Sequence, residues 1–151
     1  MQGKMRIREA LFIFVCMAMT AAPFLTLVRL NGTLGGHTDS KSYSLFDVRF
    51  GYIIIILSLA ATILFIFKSK LKASCIIQII NAVTYIIAGY FTVDYYHAVA
   101  TNEKLLFWFA SMTDMKYSAT SETLPGYYIG IGISVFTIII SAACLLIPKD
   151  E

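Results

Sequence analysis

Four stretches free of Asp, Glu, Lys, Arg and His divide the chain: Ala10 to Val28, Phe50 to Phe67, Ala73 to Val93 and Thr123 to Pro148. At a helical rise of 1.5 Å per residue, a hydrocarbon core of roughly 30 Å asks for about 20 residues, and each stretch meets or nearly meets that length. Lipid offers the backbone no hydrogen-bond partner, so a spanning segment must satisfy its own amides and carbonyls as a helix. The expectation is an all-α integral membrane protein, a four-transmembrane-helix antiparallel bundle with helices over about 10–28, 50–67, 73–93 and 126–147 in one domain, 1–151. Composition agrees, because only 14% of the residues are charged where a soluble domain carries about 25%. A secretory signal could account for the first stretch, leaving a three-span mature form, but Pro23 follows the best cleavage point and apolar "PFLTLV" continues past it.

Short-loop Lys and Arg set orientation. Lys4, Arg6, Arg8, Lys68, Lys70, Lys72 and Lys149 fall on one side, seven residues against the five of Arg29, Lys41, Arg49, Lys104 and Lys116. Both termini are therefore expected in the cytoplasm, in a plasma membrane or a bacterial inner membrane. The net charge of +3 follows from this asymmetry, and no basic tract suits nucleic acid. Cys16, Cys75 and Cys144 all lie within the apolar runs, so no disulfide framework braces the outer loops, and small buried residues are the expected role.

The first outer loop, "RLNGTLGGHTDSKSYSLFDVR", has the glycines and polar residues of irregular chain. The basic turn "KSKLK" makes the second and third helices a hairpin. In the second outer loop, Leu105, Leu106, Phe107, Trp108 and Phe109 form an apolar patch expected to rest in the membrane interface, on a short helix capped near Thr101 or Asn102. No internal repeat is evident.

Helical positions advance by about 100° per residue, which places Gly126, Gly130, Ser134, Thr137, Ser141 and Cys144 within about 80° on the fourth helix. Gly126 and Gly130 form GxxxG, a pattern that admits close helix approach in lipid. The third helix carries Gln78, Asn81 and Tyr85 on one face, the second Gly51, Ser58 and Thr62, and the first Cys16, Thr20 and Pro23. Packing with local hydrogen bonds is the common use of such faces; an aqueous path through an oligomer is the alternative. No Asp, Glu, Lys, Arg or His lies within the runs, which disfavours proton relays and coupled transport. Small multidrug exporters need a membrane-embedded Glu in the first helix, whereas Glu9 lies outside the apolar run. The chain resembles claudin-like tetraspans in topology alone. Their first loop carries Trp, a Gly-Leu-Trp step and paired cysteines, and this first loop has neither Trp nor Cys.

Outside the membrane, Asp94 and His97 could pair one helical turn apart, with the carboxylate favouring the charged imidazole. They face away from Asn81 and Tyr85 on a helix. His37, Asp39 and Asp47 could join them around a metal, but the spacing matches no compact motif, so solvated loop charges, with no metal and no cofactor, are the expected reading. No nucleophile, base and orienting acid form a recognisable group. Asn31-Gly32-Thr33 matches the glycosylation sequon, yet it follows the expected first helix so closely that modification is disfavoured. The functional expectation is a non-enzymatic tetraspan, an accessory or immunity-type subunit that recognises another membrane component through its outer loops, with the Leu105 to Phe109 patch as docking surface, and with the bilayer and a second membrane protein or copies of itself as partners. A homo-oligomeric pore, lined by the fourth helix's small-polar face or by Gln78 and Asn81, is the second expectation. A lipid-acting enzyme built on Asp94 and His97 is the third.

Overall fold

The computed structural model describes residues 2–34, 36–67, 71–110 and 117–146. Its elements are α1 (Gln2–Ala21), β1 (Thr26–Leu34), β2 (His37–Ser44), α2 (Phe50–Ile66), α3 (Leu71–Ala110), β3 (Tyr117–Thr123) and α4 (Pro125–Leu146). Among the described residues, three segments, Ile7–Phe24, Leu71–Ala100 and Pro125–Leu146, are long and apolar enough to cross a membrane, whereas α2 is a shorter apolar helix. α1 packs against α2 and α4, and α3 packs against the same two. Phe12 of α1 stacks on Phe65 of α2 with ring centroids 4.8 Å apart.

The all-α expectation is corrected by a three-stranded antiparallel sheet in the order β2-β1-β3. The first helix runs from Gln2 to Ala21 instead of over 10–28, so that Arg8 and Glu9 fall within it and within the apolar segment Ile7–Phe24, and a single 3-10 turn, Ala22–Phe24, leads towards β1. Pro23 is the cause of the early end, since its ring disfavours helical backbone in the residue before it and it brings no N–H to the helical ladder. Beyond it, Thr26, Leu27 and Val28 are β-compatible residues that hydropathy cannot distinguish from helix.

The loop expected to be irregular is a hairpin closed at the Leu34–His37 pair, with Gly36 at φ 87°. That left-handed value is one glycine adopts without steric cost. β1 also pairs with β3 from Val28–Thr123 to Leu34–Tyr117. The third helix corrects a further boundary, running to Ala110 where residue 93 was the expected end, with no separate short helix near Thr101. No Gly or Pro follows Gly89 before Ala110, so nothing in the backbone chemistry stops it.

Paired residues in a sheet point to one side. Arg29, Asn31 and Thr33 therefore share a face with Ser42, Ser40 and Thr38 of β2 and with Glu122 and Thr120 of β3. Cross-strand contacts agree: Arg29 Nε donates to Ser42 Oγ at 3.5 Å, its guanidinium lies 4.0 Å from Glu122, and the Thr33 and Thr38 hydroxyls are 3.4 Å apart. The opposite face, with Val28, Tyr43, Ser121 and Thr123, turns towards α3. There Tyr43 stacks on Tyr96 at 4.1 Å.

The apolar core has two parts. One joins the helix ends nearest the sheet to it through Met19, Leu27, Val28, Leu45, Ile54, Tyr85 and Val93; the other, nearer the opposite end, gathers Phe12, Val15, Cys16, Ala61 and Cys75.

Candidate functional site

The small-polar face of α4 is turned into the molecule. Gly130, Ser134, Thr137 and Ser141 are all buried. Ser134 Oγ donates to the Gly130 carbonyl at 2.9 Å and Thr137 Oγ1 to that of Ile133 at 2.7 Å, so both hydroxyls are satisfied by their own helix. The glycines of GxxxG serve two separate contacts within the chain. A Cβ on Gly126 would lie 2.2 Å from the Thr26 carbonyl oxygen of β1, and one on Gly130 would lie 2.1 Å from the Tyr85 hydroxyl of α3. That hydroxyl donates to the Ala22 carbonyl at 3.2 Å, tying α3 to the turn after α1.

Gln78 and Asn81 meet α2. Asn81 Nδ2 lies 2.8 Å from Ser58 Oγ, 3.2 Å from the Ile54 carbonyl and 3.4 Å from Gln78 Oε1. Two amide hydrogens serve three acceptors, so at least one is shared. All three side chains, Ser58, Gln78 and Asn81, are fully buried. Among the described residues, Gln78 Nε2, Asn81 Oδ1 and Ser141 Oγ are buried without a hydrogen-bond partner. Buried polar atoms of this kind are the usual seats of ordered water.

Asp94 and His97 take different roles. Asp94 is exposed. His97 reaches β3, where Nδ1 hydrogen-bonds the Ser121 hydroxyl and Nε2 that of Thr123 at 3.1 Å. The imidazole thus fastens α3 to the edge of the sheet. Of the other residues considered for a metal, Asp47 accepts from Ser44 N–H at 2.7 Å and from Ser44 Oγ at 2.9 Å, closing the turn into α2. Asp39 is exposed on β2, and the His37 side chain lies outside the described residues. Among the described residues, no three His, Cys, Asp or Glu side chains are grouped as metal ligands.

Leu105, Leu106, Phe107, Trp108 and Phe109 belong to the last turns of α3, and their side chains lie outside the described residues. A continuous helix carries Leu105 about 18 Å along its axis beyond Val93. Two arrangements have no counterpart in the sequence reading. One is the hydroxyl-rich sheet, whose signal is the alternation of Thr38, Ser40, Ser42 and Ser44 in β2. The other is the contact between the Cys75 thiol of α3 and the Cys144 thiol of α4, with Cys16 close by.

These features define a mostly helical, membrane-embedded class of protein carrying a small polar sheet tied to an extended helix. No protein-family model matches the chain, and no curated protein matches it.

Proposed function

We propose that the chain is a non-enzymatic tetraspan, with α2 as the fourth span and both termini cytoplasmic, that recognises another membrane protein through its sheet and the extension of α3. It acts as an accessory or immunity-type subunit. One observation carries this reading: the small-polar face of α4 is spent on contacts within the chain, with Ser134 and Thr137 satisfied by their own helix. The water-facing structure left to meet a partner is the sheet and the α3 segment clamped to it by His97. Surfaces that recognise partners concentrate aromatic residues, and "LLFWF" holds the chain's single Trp.

The test is isolation of the tagged chain from native membranes in mild detergent. A second chain at constant stoichiometry is expected, lost when Phe107, Trp108 and Phe109 are replaced by Ser while the detergent-extracted fold persists. A protein that is always partnerless and conducts ions after reconstitution overturns the reading.

The second reading, a pore, draws on the unpartnered atoms of Gln78, Asn81 and Ser141, which favour water inside the bundle. Single cysteines at 134, 137 and 141 separate the two, since water-phase thiol reagents label them in a pore and leave them unmodified in a packed bundle.

A further inference from the structure

The chain has three cysteines, one each in α1, α3 and α4. The fold gathers them in the helical core far from the sheet, where Cys16 and Cys75 share one buried cluster and Cys144 packs against it. Two of them meet. The Cys75 and Cys144 thiols share a hydrogen bond between α3 and α4, whereas Cys16 turns to the Thr62 side chain of α2.

The two touching thiols differ in access. Cys75 is fully buried, and Cys144 is part-exposed. Both lie close to helix ends, Cys75 about 6 Å along the axis from Leu71 and Cys144 about 3 Å from Leu146. The half-buried Arg8 of α1 lies beside Cys144. A thiol that is partly exposed and next to a basic side chain has the surroundings of a reactive cysteine, whereas a lone buried thiol is inert.

We propose that Cys75 and Cys144 form a redox-active dithiol, which hydroperoxides convert to a disulfide between α3 and α4. The Cys144 sulfur, the accessible one, gives up its proton and attacks a peroxide oxygen. The S–O bond forms, the O–O bond breaks, and the departing oxygen carries that proton away as water or an alcohol. Cys75 then attacks the sulfenic sulfur of Cys144. The S–S bond forms, the S–O bond breaks, and hydroxide leaves with the Cys75 proton as water. Two electrons pass from the thiols to the peroxide. The bond fixes the α3–α4 pair at the end away from the Tyr85–Gly130 contact, so the two helices are held at both ends.

The full chain, purified in mild detergent and freed of reductant, is treated with hydrogen peroxide, alkylated with a maleimide under denaturing conditions and analysed by intact mass and peptide mapping. The expected product has lost two hydrogens, joins the Cys75 and Cys144 peptides, keeps one alkylatable thiol at Cys16, and regains all three on reduction. Its unfolding temperature exceeds that of the reduced chain, because the cross-link constrains the unfolded state. Cys16→Ala forms the same bond. Cys75→Ala stops at a sulfenic acid on Cys144 that a cyclic diketone traps, and Cys144→Ala leaves Cys75 unmodified. A trivalent arsenical tests the thiol contact without an oxidant, since it bridges two thiols held together. It is expected to bind one equivalent to the wild type and to Cys16→Ala, and none to Cys75→Ala or Cys144→Ala. Three free thiols after peroxide, or a disulfide that includes Cys16, overturn the proposal. Arsenical binding undiminished in Cys144→Ala overturns the contact on which it stands.

Discussion

The helical layer and the sheet are held together by different chemistry. In the helical layer, close approach does the work: glycines let α4 touch β1 and Tyr85, and the polar groups are few, neutral and buried. In the sheet, hydroxyls, one histidine and a tyrosine stack make the contacts, and one face stays open to water. A helix bundle in lipid has no hydrophobic drive of its own and relies on packing, so it tolerates no added atoms at its crossings. A water-facing sheet loses only individual hydrogen bonds when a side chain changes.

The largest expected effect tests the packing half of that contrast. Gly126→Ala places a methyl against a backbone carbonyl that cannot move without shifting β1, and Gly130→Ala places one against the Tyr85 ring. Overpacking of this kind costs about 3 kcal/mol, seen as a loss of folded protein and a lowered unfolding midpoint in detergent. Gly132 has no atom within 4 Å of the same position. Gly132→Ala therefore gains up to about 1 kcal/mol from helix propensity. Equal effects at 130 and 132 would show that the α3–α4 crossing is loose.

A smaller loss is expected at the buried amides. Asn81→Ala removes the donor shared by Ser58 and the Ile54 carbonyl, and interhelical hydrogen bonds in membranes contribute about 0.6 to 1.7 kcal/mol. Chemical unfolding of wild type and variant in the same detergent measures it. A value near zero would mean that water replaces Asn81 readily, which would strengthen the pore reading.

The same contrast explains what could be read from the residues alone. The face of Gly130, Ser134, Thr137 and Ser141 follows from helical periodicity, because lipid leaves those residues only the interior to face. Gln78 and Asn81 stand out for their polarity in an apolar run. The sheet is hidden because hydropathy reports solvent and not backbone conformation: Thr26, Leu27 and Val28 continue the apolar run of α1 although Pro23 has ended the helix. In β2, alternation of Thr38, Ser40 and Ser42 marks a strand, but Lys41 and Asp39 between them make it resemble loop. The continuation of α3 past Asp94 is hidden for a related reason, since charges end a hydropathic span without ending a helix. His97 could be placed on α3 by sequence, but its partners Ser121 and Thr123 lie more than twenty residues away.

The His97 clamp joins the two layers, and its removal should have the most local effect. His97→Ala abolishes the bonds to Ser121 and Thr123, at a cost of about 1 to 2 kcal/mol in the opening of β3. Amide exchange should accelerate from Tyr117 to Thr123, while amides of α1 and α4 keep their protection, because local opening need not involve the packed helices. Asp94→Asn, one turn earlier on an exposed position, should leave β3 exchange unchanged. If His97→Ala instead lowers protection throughout the helices, the sheet is an integral part of the helical core, and the division into two layers with different chemistry would have to be abandoned. If β3 exchange stays slow in His97→Ala, the strand is held by its pairing with β1 alone, and partner capture should then be insensitive to the same change.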